Sequence, residues 1–302
     1  MAEAHYKPQV SLLLQVLPEV AKEECFALHG GTAINLFVRD MPRLSVDIDL
    51  TYIPIEDRNT SLKGIAEALL RIKENITNIL PSADIQFQKD ISKLQVVNRG
   101  VQIKIEVNQT NRGLLEPPVK LVLCNSAQEE FDAFCATQVV SIGQLYGGKI
   151  CAALDRQHPR DLFDVKLLLE NEGLTEEIKI GLILCILSSN RPIHELLSPN
   201  LLDQSQAFIN QFEGMTIQPF SYQEYEAVRL TLIETVQKSL IDQDKQFLLG
   251  VKNLTPDWSI YDFERFPSVQ WKLQNLKQLK EGNPEKHLEL SKLLNKLLDS
   301  IS

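Results

Sequence analysis

Hydrophobic and polar positions alternate over several short segments in the first 125 residues, which predicts a region rich in β-strands. The strictest alternation covers residues 101–107, where four apolar side chains face one side and Gln102, Lys104 and Glu106 face the other. A period of two is typical of a half-buried strand. A short apolar strand is predicted to begin at residue 26, and further strands are predicted over residues 46–50, 84–88 and 119–123. Helical spacing predicts helices over residues 10–17, ending near Pro18, and over residues 61–80, ended by Pro81.

The pattern becomes mostly helical after about residue 125. Apolar residues recur at three- and four-residue spacing over residues 141–156, 159–170, 175–188 and 222–239. A final stripe of leucines over residues 290–298 opposes lysines, so this helix should pack against the body of the protein or against a partner. Residues 190–215 are polar and give no prediction. A mixed α/β part followed by a helical part predicts an α+β protein with two domains, residues 1–130 and 131–302.

The composition bears on compartment and partner. The chain has 302 residues, 44% of them hydrophobic and 24% charged, and no uninterrupted apolar run of about 18 residues that would span a membrane. The N-terminus lacks a signal-peptide pattern and the five cysteines are scattered, so we expect a reducing cytoplasm and no zinc site. The net charge of −9 argues against coating nucleic acid through bulk charge, although residues 89–120 and 272–300 are locally basic.

Two aspartates inside an otherwise apolar strand give the first indication of chemistry. Asp47 and Asp49 lie two residues apart, so they project on the same face of the strand. Adjacent carboxylates repel each other unless a cation lies between them, which favours a divalent metal site over a surface strand with two solvated acids. The turn Gly30-Gly31-Thr32 precedes this strand and offers backbone amides and a hydroxyl to an anion. A phosphate-binding turn beside a metal-binding pair of carboxylates suggests phosphoryl or nucleotidyl transfer.

Glu106 is the natural third acid, because it lies on the polar face of its own predicted strand. If that strand neighbours the one with Asp47 and Asp49, three carboxylates converge and hold one or two magnesium ions. Two such ions would activate the attacking oxygen and stabilise the leaving pyrophosphate. The alternative is an exposed carboxylate on a solvated face of the sheet.

A second group of charged residues lies in the helical part. Lys149 and Arg156 are seven residues apart on one helical face and could clamp a triphosphate. Asp161 and Asp164 follow in the next helix, which Pro159 is suited to begin. A structural interpretation stays open for both acids, because Asp161 could favour its own helix terminus and Asp164 could pair with a neighbouring arginine.

Taken together, these motifs resemble the AbiEii/AbiGii family, nucleotidyltransferase-like toxins of type IV toxin–antitoxin and abortive-infection systems that are related to the mycobacterial MenT toxins. The resemblance covers roughly residues 20–170 and rests on motifs in a fixed order. They are Gly30-Gly31-Thr32, Arg43-x-Ser45-x-Asp47-x-Asp49, Lys149 through Arg156, and Arg160-Asp161-x-x-Asp164.

The resemblance implies a DNA polymerase β-like nucleotidyltransferase domain with a C-terminal helical domain that closes the nucleotide site. It implies that Gly30, Gly31, Thr32, Lys149 and Arg156 bind the nucleotide. Metal binding, by Mg²⁺ or Mn²⁺, is implied for Asp47, Asp49 and Glu106. The implied catalytic residues are Asp47, Asp49, Lys149, Asp161 and Asp164.

The expected reaction is transfer of a nucleotide from a nucleoside triphosphate to an RNA, with the tRNA 3′ end as acceptor and an antitoxin encoded nearby as a partner. Two alternatives stay open at this point. One is a nucleotidyltransferase that modifies a small molecule or a protein, which the acidic net charge favours. The other is an inactive nucleotide-binding module.

Overall fold

The computed structural model describes residues 3–301, with side chains from Tyr6 onward. Met1 and Ser302, the outer ends of the two predicted domains, lie outside the described residues. The described chain divides into two compact units, with a boundary after Ser141. The first, here called the sheet unit, also contains residues 209–220; the second, the helical unit, comprises residues 142–208 and 221–301. The segment 209–220 therefore packs with the sheet unit, although the sequence assigns it to the helical part. The division at residue 130 stays a prediction.

Within residues 3–301, the strands form one seven-stranded sheet in the order β3-β4-β5-β2-β1-β7-β6. Strands β2 and β5 run parallel, as do β1 and β7, and the other neighbours are antiparallel. The strands are β1 (Phe26–His29), β2 (Asp47–Tyr52), β3 (Asp84–Gln88), β4 (Lys93–Asn98), β5 (Val101–Val107), β6 (Val119–Val122) and β7 (Ala136–Val139). The sequence pattern missed β4, whose buried residues Leu94 and Val96 are too few for a clear alternation. It also missed β7, a four-residue strand in the part after residue 125 that the pattern predicts to be mostly helical.

The helices of the sheet unit are α1 (Glu3–Val20), α2 (Gly30–Ala33), α3 (Arg58–Ile79) and α4 (Asn125–Phe131). A π-helical turn, Ile34–Val38, continues α2. Helix α1, predicted to end near Pro18, includes this proline and ends at Val20; Leu17 and Val20 are both buried. Helix α3 begins before the predicted start because the Asp57 side chain caps its first turn.

Alternation along β2 and β5 separates a buried face of the sheet from a polar one. Ile48 and Leu50 of β2 are buried, as are Ile103 and Ile105 of β5. Helix α1 packs against β5 and β2, and helix α3 packs against β3 and β4. Burying these side chains contributes about 25 cal/mol for each Å² of apolar surface removed from water. The apolar face therefore fixes which side chains of these strands project on the opposite, polar face.

The helical unit contains the remaining described helices, and each predicted segment, 141–156, 159–170, 175–188, 222–239 and 290–298, coincides with one of them. They are α5 (Ile142–Arg156), α6 (Pro159–Asn171), α7 (Glu176–Ser188), α8 (Ile193–Leu197), α9 (Ser205–Gln211), α10 (Tyr222–Ser239), α11 (Asp242–Asn253), α12 (Pro267–Gly282) and α13 (Pro284–Ser300). The last three residues of α9 fall in the segment that packs with the sheet unit. Along residues 3–301, no helix has the length and apolar character needed to cross a membrane.

Helices α5 and α7 cross in direct backbone contact. A Cβ atom on Gly143 would lie 2.6 Å from the carbonyl oxygen of Glu177. One on Gly181 would lie 3.0 Å from the backbone nitrogen of Gln144 and closer still to the carbonyl group of Gly143. Gly147 meets the backbone of Gly181 in the same way. Helix α5, which carries Lys149 and Arg156, is therefore held by a crossing that tolerates no side chain at these positions.

Candidate active site

The turn after β1 lies directly against the carboxylate of Asp49. Strands β1 and β2 pair with His29 opposite Asp49, and the chain then turns at Gly30 with φ of +73°. A Cβ atom on Gly30 would lie 3.1 Å from the carboxyl carbon of Asp49 and closer still to one of its oxygens. Both the positive φ and this contact require glycine. The turn thus brings backbone amides next to the acidic strand, as the sequence predicts.

Gly31 and Thr32 fasten the turn to the segment that leads into β2. A Cβ atom on Gly31 would lie 2.8 Å from a terminal guanidinium nitrogen of Arg43 and 3.0 Å from Ser45 Oγ. Thr32 is fully buried; its hydroxyl donates to the backbone carbonyl of Asp47 and lies 3.0 Å from Ser45 Oγ. The Thr32 hydroxyl therefore holds the turn against β2, and its predicted contact with a nucleotide stays a prediction.

Strand register places Glu106 beside the aspartate pair. Asp49 lies opposite Glu106 across the parallel pair β2 and β5, and Asp47 lies opposite Lys104. Directly opposed side chains of neighbouring strands project on the same face. The condition set for Glu106, that the two strands are neighbours, is met. Sequence reasoning missed Lys93 of β4, which lies opposite Glu106 and whose Nζ is 2.6 Å from Glu106 Oε1.

The donor set of Asp47 and Asp49 fits a magnesium ion. Carboxylate oxygens are the ligands that hard divalent cations prefer, and both aspartates are half-buried on the polar face of the sheet. Glu106 is at the right register for a third ligand, but its carboxylate pairs with Lys93. Across the side chains of residues 6–301, no three histidine, cysteine, aspartate or glutamate residues are arranged to hold a metal ion. Recruiting Glu106 therefore requires it to leave Lys93.

The four charged residues that the sequence singles out in the helical unit form one cluster, three of them buried. We call it the α5–α6 cluster: Lys149, Arg156, Asp161 and Asp164. Lys149 Nζ lies 2.8 Å from Asp161 Oδ1 and 3.0 Å from Asp164 Oδ2. Arg156 forms two hydrogen bonds with the Asp161 carboxylate, at 2.6 and 3.0 Å. The predicted shared face of Lys149 and Arg156 is confirmed, because both reach the same aspartate.

The members of the α5–α6 cluster differ sharply in their exposure to solvent. Asp161 and Asp164 are fully buried, and the Lys149 side chain is 6% exposed. The Arg156 side chain, by contrast, is 59% exposed. Removing one member of such a buried group leaves an uncompensated charge, at a cost of about 3–5 kcal/mol.

The cations also decide the ionisation state of Asp161. Complete burial alone raises the pKa of this carboxyl, but the charges and hydrogen bonds of Lys149 and Arg156 outweigh it. The pKa of Asp161 therefore lies well below its usual range, and the carboxylate is ionised at neutral pH. Asp161 anchors two cations instead of serving its own helix terminus, where His158 Nδ1 accepts from the Arg160 amide.

Comparisons with known proteins bear on the family and the fold of the chain. The family model described as nucleotidyl transferase AbiEii toxin, type IV TA system, matches residues 11–275. Among solved structures, MenT4, a nucleotidyltransferase toxin from Mycobacterium tuberculosis, is similar with a TM-score of 0.64 and 15% sequence identity. That match covers 91% of this chain and 95% of MenT4, and it confirms the predicted fold class. No curated protein sequence matches the chain.

Proposed function

Because the chain belongs to the AbiEii family of nucleotidyltransferase toxins of type IV toxin–antitoxin systems, we propose that it transfers a nucleoside monophosphate to the 3′ end of a tRNA. The donor is a nucleoside triphosphate. The observation that carries the proposal is the contact between the Gly30 turn and the Asp49 carboxylate. The turn, whose backbone amides would bind an anion, lies directly against an acid that would bind a cation.

The reaction joins the 3′ hydroxyl oxygen of the acceptor to the α-phosphorus and breaks the bond between that phosphorus and the bridging oxygen of the pyrophosphate. Asp47 and Asp49 would hold magnesium, which lowers the pKa of the attacking hydroxyl and neutralises charge on the leaving group. The backbone amides of Gly30 and Gly31 would bind phosphate oxygens, since a turn that opens a helix favours negative charge. The acceptor hydroxyl loses its proton and pyrophosphate leaves.

The α5–α6 cluster supports a role for Arg156 in binding phosphate. Its guanidinium is oriented by hydrogen bonds to Asp161 and its side chain is more than half exposed, so an anion can reach it from solvent. Lys149 is held between two carboxylates. We assign its role to keeping both acids ionised and Arg156 in place; direct contact with a triphosphate would require it to release one acid.

An RNA acceptor is supported by Lys104 of β5, which lies opposite Asp47 on the polar face of the sheet. The net charge of −9 means that this attraction is local. A type IV toxin acts with an antitoxin, which we propose as the protein partner. The five cysteines are free thiols, which suits the reducing cytoplasm that we propose as its compartment.

The test presents all acceptor classes at once. Purified protein is incubated with each α-³²P-labelled nucleoside triphosphate, magnesium and an extract fractionated into RNA, protein and small molecules. We expect label in tRNA, and labelling slower by about 10²-fold or more with Asp49→Asn. Label in the protein or small-molecule fraction would contradict the RNA acceptor. Nucleotide binding without pyrophosphate release would contradict transfer itself.

A growth assay tests the toxin role separately. Expression of the wild-type chain should arrest growth, and Asp49→Ala should relieve the arrest because β2 then lacks one of its paired carboxylates. Equal arrest by both proteins at equal abundance would show that toxicity does not depend on this chemistry.

A further inference from the structure

The two-residue connection between α5 and α6 is held in place by hydrogen bonds from several other parts of the helical unit. Gln157 follows the last residue of α5, is 1% exposed and adopts a left-handed conformation with φ of +51°. Residues other than glycine, asparagine and aspartate seldom adopt this conformation, and they do so where the surrounding structure enforces it. Gln157 is therefore held in a conformation that its own backbone does not favour.

Both the nitrogen and the oxygen of the Gln157 side-chain amide form hydrogen bonds. Its Nε2 donates to the carbonyl oxygen of Asn200 at 2.8 Å. Its Oε1 accepts from the backbone amide of Leu202 at 3.0 Å and from the Arg229 guanidinium at 3.1 Å. A buried amide satisfied in this way is strongly fixed, because any displacement leaves polar groups unpaired.

The backbone of the connection is held as well. The Tyr225 hydroxyl donates to the carbonyl oxygen of Gln157 at 2.8 Å, and the Gln204 amide donates to the carbonyl oxygen of Arg156, also at 2.8 Å. Arg229 also donates to the Leu202 carbonyl at 2.6 Å. We call Gln157, Tyr225, Arg229 and residues 200–204 the Gln157 clasp.

The clasp acts where the α5–α6 cluster is assembled. The cations of that cluster, Lys149 and Arg156, lie on α5, and its acids, Asp161 and Asp164, lie on α6. Ion pairs of 2.6–3.0 Å span the two helices, so a change in the angle at Gln157 changes every one of them.

We propose that Gln157 and Arg229 are positioning residues for nucleotidyl transfer. They fix α6 against α5, so that the α5–α6 cluster presents Arg156 in one orientation. Neither residue contacts the nucleotide; both act through the cluster. This inference rests on the proposed function for its effect on transfer, whereas the effect on the cluster itself is independent of that function.

The experiment compares variants of the full chain. Gln157→Gly removes the amide and leaves a backbone that adopts the left-handed conformation freely. Gln157→Glu keeps an acceptor for Leu202 and Arg229 and loses the donor to Asn200. Leu254→Gly is the matched control, because Leu254 is another non-glycine residue with positive φ, at 66°, and it ends α11. Tyr225→Phe, which removes the hydrogen bond to the Gln157 carbonyl and the one accepted from Arg229, serves if Gln157→Gly does not fold.

Two readouts are taken well below the unfolding temperature. The first is the rate at which acetic anhydride acylates Lys149, measured by mass spectrometry; this lysine is 6% exposed in the intact cluster. The second is kcat and KM for label transfer. We expect acetic anhydride to acylate Lys149 faster in Gln157→Gly than in the wild type. We also expect kcat of this variant to fall about tenfold or more, since small misplacements are costly in catalysis. Gln157→Glu should recover most of both, and Leu254→Gly should match the wild type.

Unchanged acylation in Gln157→Gly would overturn the inference, as would faster acylation with kcat unchanged. So would losses of the same size in Leu254→Gly, because the effect would then be one of general stability. If the wild-type protein transfers no label, the proposed function fails, and the acylation rates alone still decide whether the clasp holds the cluster.

Discussion

The crossing of α5 and α7 can be tested by adding a single methyl group. In Gly181→Ala the new Cβ atom would lie 3.0 Å from the Gln144 nitrogen and closer still to the carbonyl group of Gly143. All of these neighbours are backbone atoms, so no side-chain rotation relieves the contact. The two helices must move apart by about 1.5 Å to reach ordinary van der Waals separation.

The size of the effect follows from two opposing terms. Overpacking a tight core costs about 1–3 kcal/mol, and the upper end applies here because rigid backbone must move. Alanine is the better helix former and returns about 1 kcal/mol relative to glycine. The free energy of unfolding should therefore fall by about 2 kcal/mol, which corresponds to a lower melting temperature by about 4–8 °C.

Thermal unfolding followed by circular dichroism measures this change, with Gly282→Ala as the matched control. Gly282 is also helical, in α12, and a Cβ atom there would meet no atom within 4 Å. Gly282→Ala should leave the melting temperature unchanged or slightly higher. A Gly181→Ala protein as stable as the wild type would refute the backbone contact between α5 and α7.

Three further predictions concern the candidate site. Gly30→Ala should abolish transfer, whereas Gly100→Ala, with φ of +79° and no atom within 4 Å, should cost only about 1 kcal/mol of stability for its conformation; equal transfer activities would contradict the packing of the turn on β2. Asp161→Asn should lower the unfolding free energy by about 3–5 kcal/mol at neutral pH. Because the folded pKa of Asp161 is depressed, the stability it contributes is present above about pH 4 and is lost as the pH falls further, so the difference should shrink in acid denaturation. Lys93→Met should raise Mn²⁺ affinity measured by calorimetry, because Glu106 is freed from its 2.6 Å ion pair; unchanged affinity would exclude Glu106 as a ligand.

Much of the sheet unit could be predicted because its apolar alternation leaves few choices. A strand that buries Ile48 and Leu50 must project Asp47 and Asp49 on the other face, and a shift of one residue would bury both acids. The same argument places Glu106 on the polar face of β5. The partner of Glu106 could not be predicted, since it depends on β4 pairing with β5, and strand order is not encoded in the alternation of any single strand.

The helical unit shows a different limit. Gly143, Gly147 and Gly181 carry a readable signal, because glycines four residues apart on one helix favour a close crossing, but the sequence does not name the helix that crosses. The spacing of Asp161 and Asp164 suits both a surface ion pair and a buried cluster. Burial decided between them, and burial depends on how α6 packs. Nothing in the sequence marks Gln157, whose left-handed conformation is imposed by distant residues.

The central claim is that Asp47 and Asp49 are the metal-binding acids of a nucleotidyltransferase. The most direct test is the rate at which tRNA gains a 3′-terminal labelled nucleotide, measured with the wild-type chain and with Asp49→Asn at saturating triphosphate. The wild type should extend tRNA only when Mg²⁺ or Mn²⁺ is added, and Asp49→Asn should be slower by about 10²-fold or more. Extension by Asp49→Asn at the wild-type rate would contradict the account.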